Sequence, residues 1–149
     1  MQEVVDETIA LYQWLAWVAD DLYGPDARGA ARRWTLRRLA REGAQTVPAL
    51  AKGRAVRRQT LQPIVDALAA ERLVTLEPNA AHARSPLVTI TGRGLAMVDR
   101  FDRVDRAVLG AVSRGIGARE LAVTATTLRA LRTAFELTAR WRPAALAAV

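Results

Sequence analysis

The chain of 149 residues contains no cysteine, one histidine (His82) and one lysine (Lys52). The missing cysteines exclude disulfides, thiolate metal sites and thiol-based redox sensing together. One imidazole excludes a zinc or nickel centre built on several histidines of a single chain. It also leaves the usual nucleophile–base pairs of covalent catalysis mostly without members. No apolar run approaches the roughly 18 residues of a membrane helix. The opening "MQEVVDET" is acidic, unlike a signal or transit peptide. "TGRGLA" opens a helix outside any βαβ unit and is no dinucleotide fingerprint. The expectation is a cytoplasmic protein without catalytic residues, metal, cofactor or membrane partner.

What is present is apolar residues and arginine. Hydrophobic residues make up 51%, enough for the core of one domain. The net charge is +7, and it is unevenly spread. Met1 to Asp21 carries five acids and no base, whereas Ala30 to Thr60 carries nine bases and one acid, Glu42. A basic subregion of this kind reads as a nucleic-acid footprint or as a solvated arginine face, and charge alone does not choose between them.

Periodicity predicts a first helix over Val5 to Leu22 with two adjacent stripes. Val5, Ile9, Tyr12, Ala16 and Ala19 form one; Leu11, Trp14, Leu15, Val18 and Leu22 form the other. A helix apolar over most of its circumference is buried on two sides, and in a short chain the second side suits another subunit. "YGPDARG" breaks the pattern. A second helix, Ala30 to Glu42, ends at Gly43 and presents Arg32, Arg33, Arg37, Arg38 and Arg41 outward. Thr46 caps a short third helix, "VPALAKG", with Pro48 in its first turn. A fourth helix spans Arg57 to Arg72. "LVTLEP" and "PLVTITG" make two strands around a polar tip. Thr91 caps a long helix from Gly92 to about Val112, on which Asp99 and Asp102 suit Arg103 and Arg106. After "SRGIG" a last helix runs from Ala118 to about Trp141, stopped by Pro143, with Leu121, Leu128, Leu131 and Phe135 on one side. Trp141 reads as a terminal anchor. The fold class expected is mainly α with a small β-hairpin wing, because a three-helix unit closed by a hairpin is a winged helix-turn-helix.

From Thr35 to Arg100 the chain resembles the multiple-antibiotic-resistance regulator (MarR) family of bacterial transcription factors. The resemblance lies in an ordered set: "TVPALAKG" as supporting helix, "RRQTLQPIVDALAAERLV" as recognition helix, "HARSPLVTIT" as wing and second strand, and "TGRGLAMV" opening the next helix. The wing tip "AAHARS" departs from the Asp-x-Arg-Arg common in the family and lacks its bracing acid. Pro63 replaces a residue that is commonly basic or polar, and Arg72 stands where glycine often ends the recognition helix. The resemblance implies a single winged-helix domain over residues 1–149, with 1–23 and 113–149 for dimerisation, 30–91 as DNA-binding lobe and 92–112 as connecting helix. It implies a homodimer on a pseudo-palindromic operator in double-stranded DNA, acting as a repressor relieved by a small ligand; activation is also compatible. In such a dimer Glu3, Asp6 and Glu7 face arginines such as Arg129, Arg132, Arg140 or Arg142. The alternative is a winged-helix module for protein or RNA without operator specificity.

A helix that reads DNA enters the major groove by its N-terminal part. Arginine grips guanine O6 and N7 with two bonds, and glutamine does the same for adenine N6 and N7. Arg57, Arg58, Gln59, Thr60 and Gln62 are the right types at the right end, and Ile64, Val65, Leu68 and Leu73 anchor the rest. Pro63 leaves two possibilities. A helix starting at Arg57 or Arg58 puts Pro63 in the second turn, where it forfeits a hydrogen bond; a start at Thr60 as cap makes it harmless. Arg84 falls where the family has its minor-groove arginine. His82 suits a phosphate or solvent. Lys52, Arg54, Arg37 and Arg38 suit phosphates or a plain charged surface. By the resemblance, Trp14, Trp17 and Trp34 line a cleft for a small aromatic or phenolic ligand; core packing is their ordinary use.

Overall fold

The chain is represented by a computed structural model in which the described residues are 1–23, 29–80, 84–137 and 142. The elements are α1 (Gln2–Tyr23), α2 (Ala30–Glu42), β1 (Gln45–Thr46), α3 (Val47–Arg54), α4 (Arg58–Ala70), β2 (Val74–Glu77), β3 (Leu87–Ile90), α5 (Gly92–Val112) and α6 (Ala118–Glu136). They fall into two compact units, Met1–Val108 and Leu109–Val149. The first unit contains the winged helix. The second contains the end of α5 and α6. The break "YGPDARG" (but for its first and last residues), His82, Arg140, Trp141 and Pro143 lie outside the described residues.

The helix ends follow local chemistry. Gly43 closes α2 with φ +79°, and its N–H reaches the Leu39 carbonyl. That backbone angle is open to glycine at little cost. The Thr46 hydroxyl accepts the Ala49 N–H at 3.3 Å, and Pro48 occupies the first turn of α3. The Thr91 hydroxyl accepts the Gly94 N–H at 3.0 Å and donates back to the Arg72 carbonyl at 2.8 Å. One threonine therefore caps α5 and pins it to the exit of α4. At the start of α6 the Gly117 N–H donates to the Glu120 carboxylate at 2.7 Å.

The expected hairpin is part of a three-stranded antiparallel sheet in the order β1–β3–β2. Val74 faces Ile90 and Glu77 faces Leu87, while β1 adds Gln45 opposite Val88 and Thr46 opposite Leu87. A two-residue strand has no alternation to detect, so β1 is created by β3 and not by its own pattern.

One core fills the first unit. Leu36 and Leu39 of α2, Leu50 of α3, Leu61, Val65 and Leu68 of α4, Val88 of β3 and Phe101 of α5 are all buried. Burying each such side chain contributes about 1.5–3 kcal/mol before chain entropy is counted. Gly94 is needed for this packing: a Cβ there would lie 2.2 Å from the Leu73 carbonyl oxygen. That is the structural use of the second glycine in the "TGRGLA" that opens α5.

Two expectations need correction. The arginines of α2 are not an outward face: Arg33 is buried with its guanidinium 4.6 Å from the centre of the Tyr23 ring, and Arg32 and Arg37 are half-buried in ion pairs. Asp102 meets Arg37 at 3.3 Å, across to α2, in place of the expected neighbours on its own helix. In both cases long arginine stems cover apolar surface while the charge finds a partner far away in sequence. On α1, Ala19 and Tyr23 are buried, whereas Tyr12, Trp14 and Trp17 are exposed. No described residue of α6 is buried. No helix of the described residues is long and apolar enough to cross a membrane.

Candidate nucleic-acid interface

The left-handed Ala55 (φ +58°) ends α3 and turns the chain into Arg57, which is extended and precedes the first turn of α4. Arg57, Arg58, Gln59 and Thr60 are all exposed. On the opposite face Leu61, Val65 and Leu68 are 0% exposed. The helix is thus divided along its length, one face held by the core and its opening turn offered outward. Among the described residues no carboxylate pairs with Arg57 or Arg58. Their charge adds to the positive end of the helix dipole, which favours anions.

The start of α4 at Arg58 settles the position of Pro63. It lies in the second turn, the Thr60 N–H reaches the Arg57 carbonyl at 3.0 Å, and Thr60 is not the cap. Gln62 is half-buried and donates its amide to the Asp66 carboxylate at 2.9 Å. Asp66 carries no signal of its own in the sequence, although the Gln–Asp spacing of four is visible there.

Around this helix the other candidate residues separate. Lys52 is exposed at the end of α3. Arg54 and Arg38 approach the Trp34 ring, with guanidinium carbons 5.7 and 5.8 Å from its centre, and Arg38 also pairs with Glu42 at 2.6 Å. Arg84 is exposed beside the wing strand β3. Trp14 and Trp17 stand edge to face, 5.5 Å apart, and with Ala10 and Gln13 line an open cavity of about 320 Å³. Trp34 is placed with the arginines of α2 and α3, and is not among the described residues lining that cavity.

Two polar clusters brace the lobe, and neither is legible in the sequence. Arg32 of α2 grips Glu71, at the end of α4, with bonds of 2.8 and 2.5 Å. That hydrogen-bonded guanidinium, aided by the charge of Arg93, holds the Glu71 carboxyl below its usual value against a smaller effect of burial. The second cluster joins three helices: Asp105 of α5 accepts from the Tyr23 hydroxyl of α1 and from Arg37 of α2, the latter at 2.5 Å. Burial pushes the Asp105 carboxyl up.

No protein-family model and no curated protein matches the sequence. Solved structures do match. BpsR of Bordetella bronchiseptica, whose DNA binding is regulated by 6-hydroxynicotinic acid, is 22% identical with a TM-score of 0.75, covering 87% of this chain and 98% of that one. A MarR variant from E. coli in complex with operator DNA is 19% identical with a TM-score of 0.74, covering 87% and 93%. Staphylococcus aureus MarR in complex with salicylate and kanamycin is 18% identical with a TM-score of 0.79, covering 90% and 91%. The chain has the winged-helix fold of the MarR-family transcription regulators.

Proposed function

We propose that this protein is a MarR-type transcription regulator: a homodimer that binds a pseudo-palindromic operator in double-stranded DNA and represses until a small aromatic or phenolic ligand releases it. The observation that carries this reading is the opening of α4. Arg57, Arg58 and Gln59 are exposed there, without a carboxylate on either arginine among the described residues, on a helix whose other face is fully buried. Those side chains match guanine and adenine edges, and a structure of the same fold is bound to operator DNA. Lys52 and Arg54 stand nearby in sequence for phosphates, and Arg84 for the minor groove or a phosphate.

Dimerisation is supported by exposed apolar side chains. Leu11, Trp14, Leu15 and Trp17 of α1 are all more than half exposed, and Phe135 of α6 is 59% exposed. Exposed apolar side chains on each of these helices are costly in water and suit a second copy. The small ligand is supported by the indole pair of Trp14 and Trp17 beside their cavity, and by the salicylate and 6-hydroxynicotinic acid named with proteins of this fold.

The test is selection of bound duplexes from a random pool by the purified protein, followed by binding at several salt concentrations and sedimentation at micromolar concentration. The expected results are an inverted repeat, a steep salt dependence and twice the chain mass. Equal affinity for selected and scrambled duplex would instead identify a winged-helix module for protein or RNA. A reporter placed behind the selected repeat separates repression from activation.

A further inference from the structure

An interior proline in a helix removes one hydrogen bond and presses on the carbonyl four residues earlier, at a cost that packing usually has to offset. Pro63 has no such return, because its ring is exposed and takes no part in the core. Its position is specific. At 100° per residue, Gln59 and Pro63 lie one turn apart in the middle of the face opposite Leu61, Val65 and Leu68. Pro63 is the residue whose N–H would have bonded the Gln59 carbonyl. The oxygen of Gln59 therefore lacks its donor at i+4, on the same face as the ring. Gln62, the neighbouring polar side chain, is drawn toward Asp66.

We propose that the Gln59 main-chain carbonyl, deprived of its helical donor by Pro63, and the Pro63 ring together read one A·T base pair in the major groove. This rests on the DNA-binding reading above and adds a specificity element to it. The chemistry selects the pair. A·T offers in that groove both a donor, the adenine N6 amine, and an apolar group, the thymine C5 methyl. A free carbonyl oxygen takes the amine, and a pyrrolidine ring takes the methyl. A G·C pair presents an amine on cytosine but no methyl beside it. A backbone acceptor also reads without side-chain entropy, since its direction is set by the helix.

The experiment compares the full-length protein with Pro63→Ala, which restores the N–H and does not endanger folding; its thermal midpoint is expected to rise. Duplex selection with the unaltered protein should yield an A·T pair in each half-site that Pro63→Ala no longer selects, with the rest of the repeat unchanged. In that position uracil for thymine, which removes only the methyl, should weaken the unaltered protein about four-fold per half-site, and purine for adenine, which removes the amine, about five-fold. Pro63→Ala should respond to neither replacement. If both proteins select the same repeat and respond equally to the replacements, this inference is overturned and the DNA-binding reading stands. If the unaltered protein selects no repeat, the reading fails and this inference fails with it.

Discussion

The helices α1 and α4 are both amphipathic and both belong to the first unit, yet they use their apolar residues differently. In α4, Leu61, Val65 and Leu68 are completely enclosed by the chain itself. In α1, Trp14 is 65% and Trp17 67% exposed, and among its described residues burial is confined to Ala19 and Tyr23 near its end. Hydrophobicity alone therefore does not place a helix in the core. α4 has α2, α3 and the sheet packed against it, whereas most of α1 leaves its indoles exposed. The difference is one of enclosure: α4 is locked into the core along one face, and α1 leaves most of its large apolar side chains exposed.

The largest expected effect tests that contrast directly. Leu61→Ala should destabilise the fold by about 2–5 kcal/mol in chemical denaturation, because the cavity it leaves is fully enclosed. Trp14→Ala should leave the unfolding of the winged-helix lobe nearly unchanged while shifting sedimentation toward the single-chain mass. If Trp14→Ala instead unfolds the lobe, α1 is a core helix and the contrast collapses.

Within the winged helix, Arg58→Ala should cost about 1–3 kcal/mol on the selected duplex and relax preference at the contacted base. Arg84→Ala should act differently. Binding to selected and scrambled duplexes should weaken by similar factors, and the salt slope should flatten by about one unit for each phosphate no longer neutralised, or two per dimer. A narrow A·T-rich groove would concentrate the loss there. Matched binding curves for the two variants distinguish the reader from the holder. Unchanged affinity and specificity for Arg58→Ala would sink the assignment of α4.

The smallest effect concerns the brace at the far end of α4. Glu71 has its carboxyl held below the ordinary 4.5 by Arg32. Its contribution to stability is then complete above that value and lost as pH falls through the lower folded-state value. Glu71→Gln should therefore lower the thermal midpoint near neutral pH, with the gap to the unaltered protein closing in strong acid. Solvent at this half-exposed pair keeps the effect well under about 1 kcal/mol. A gap that widens in acid would mean that the pair does not stabilise the fold.

Much of the architecture was legible residue by residue. Thr46, Thr91 and Gly43 marked helix ends because capping is chemistry between near neighbours. The apolar spacing of α4 placed Val65 and Leu68 inward, and its polar start placed Arg57, Arg58 and Gln59 outward, since both follow from one helical period. The order of elements then allowed little besides a winged helix. What local pattern left open was decided by groups distant along the chain. Pro63 had two consistent positions until the start of α4 was located at Arg58. The basic stretch is divided between α2 and α4. Arg32 and Arg37 turn to Glu71 and Asp105, 39 and 68 residues away, while Arg57 and Arg58 remain outward. An arginine carries the same charge in either place, and its long stem reaches partners that no periodicity predicts. Only the packing of α2 against α4 and α5 determines which guanidinium is tied into the fold and which is left exposed.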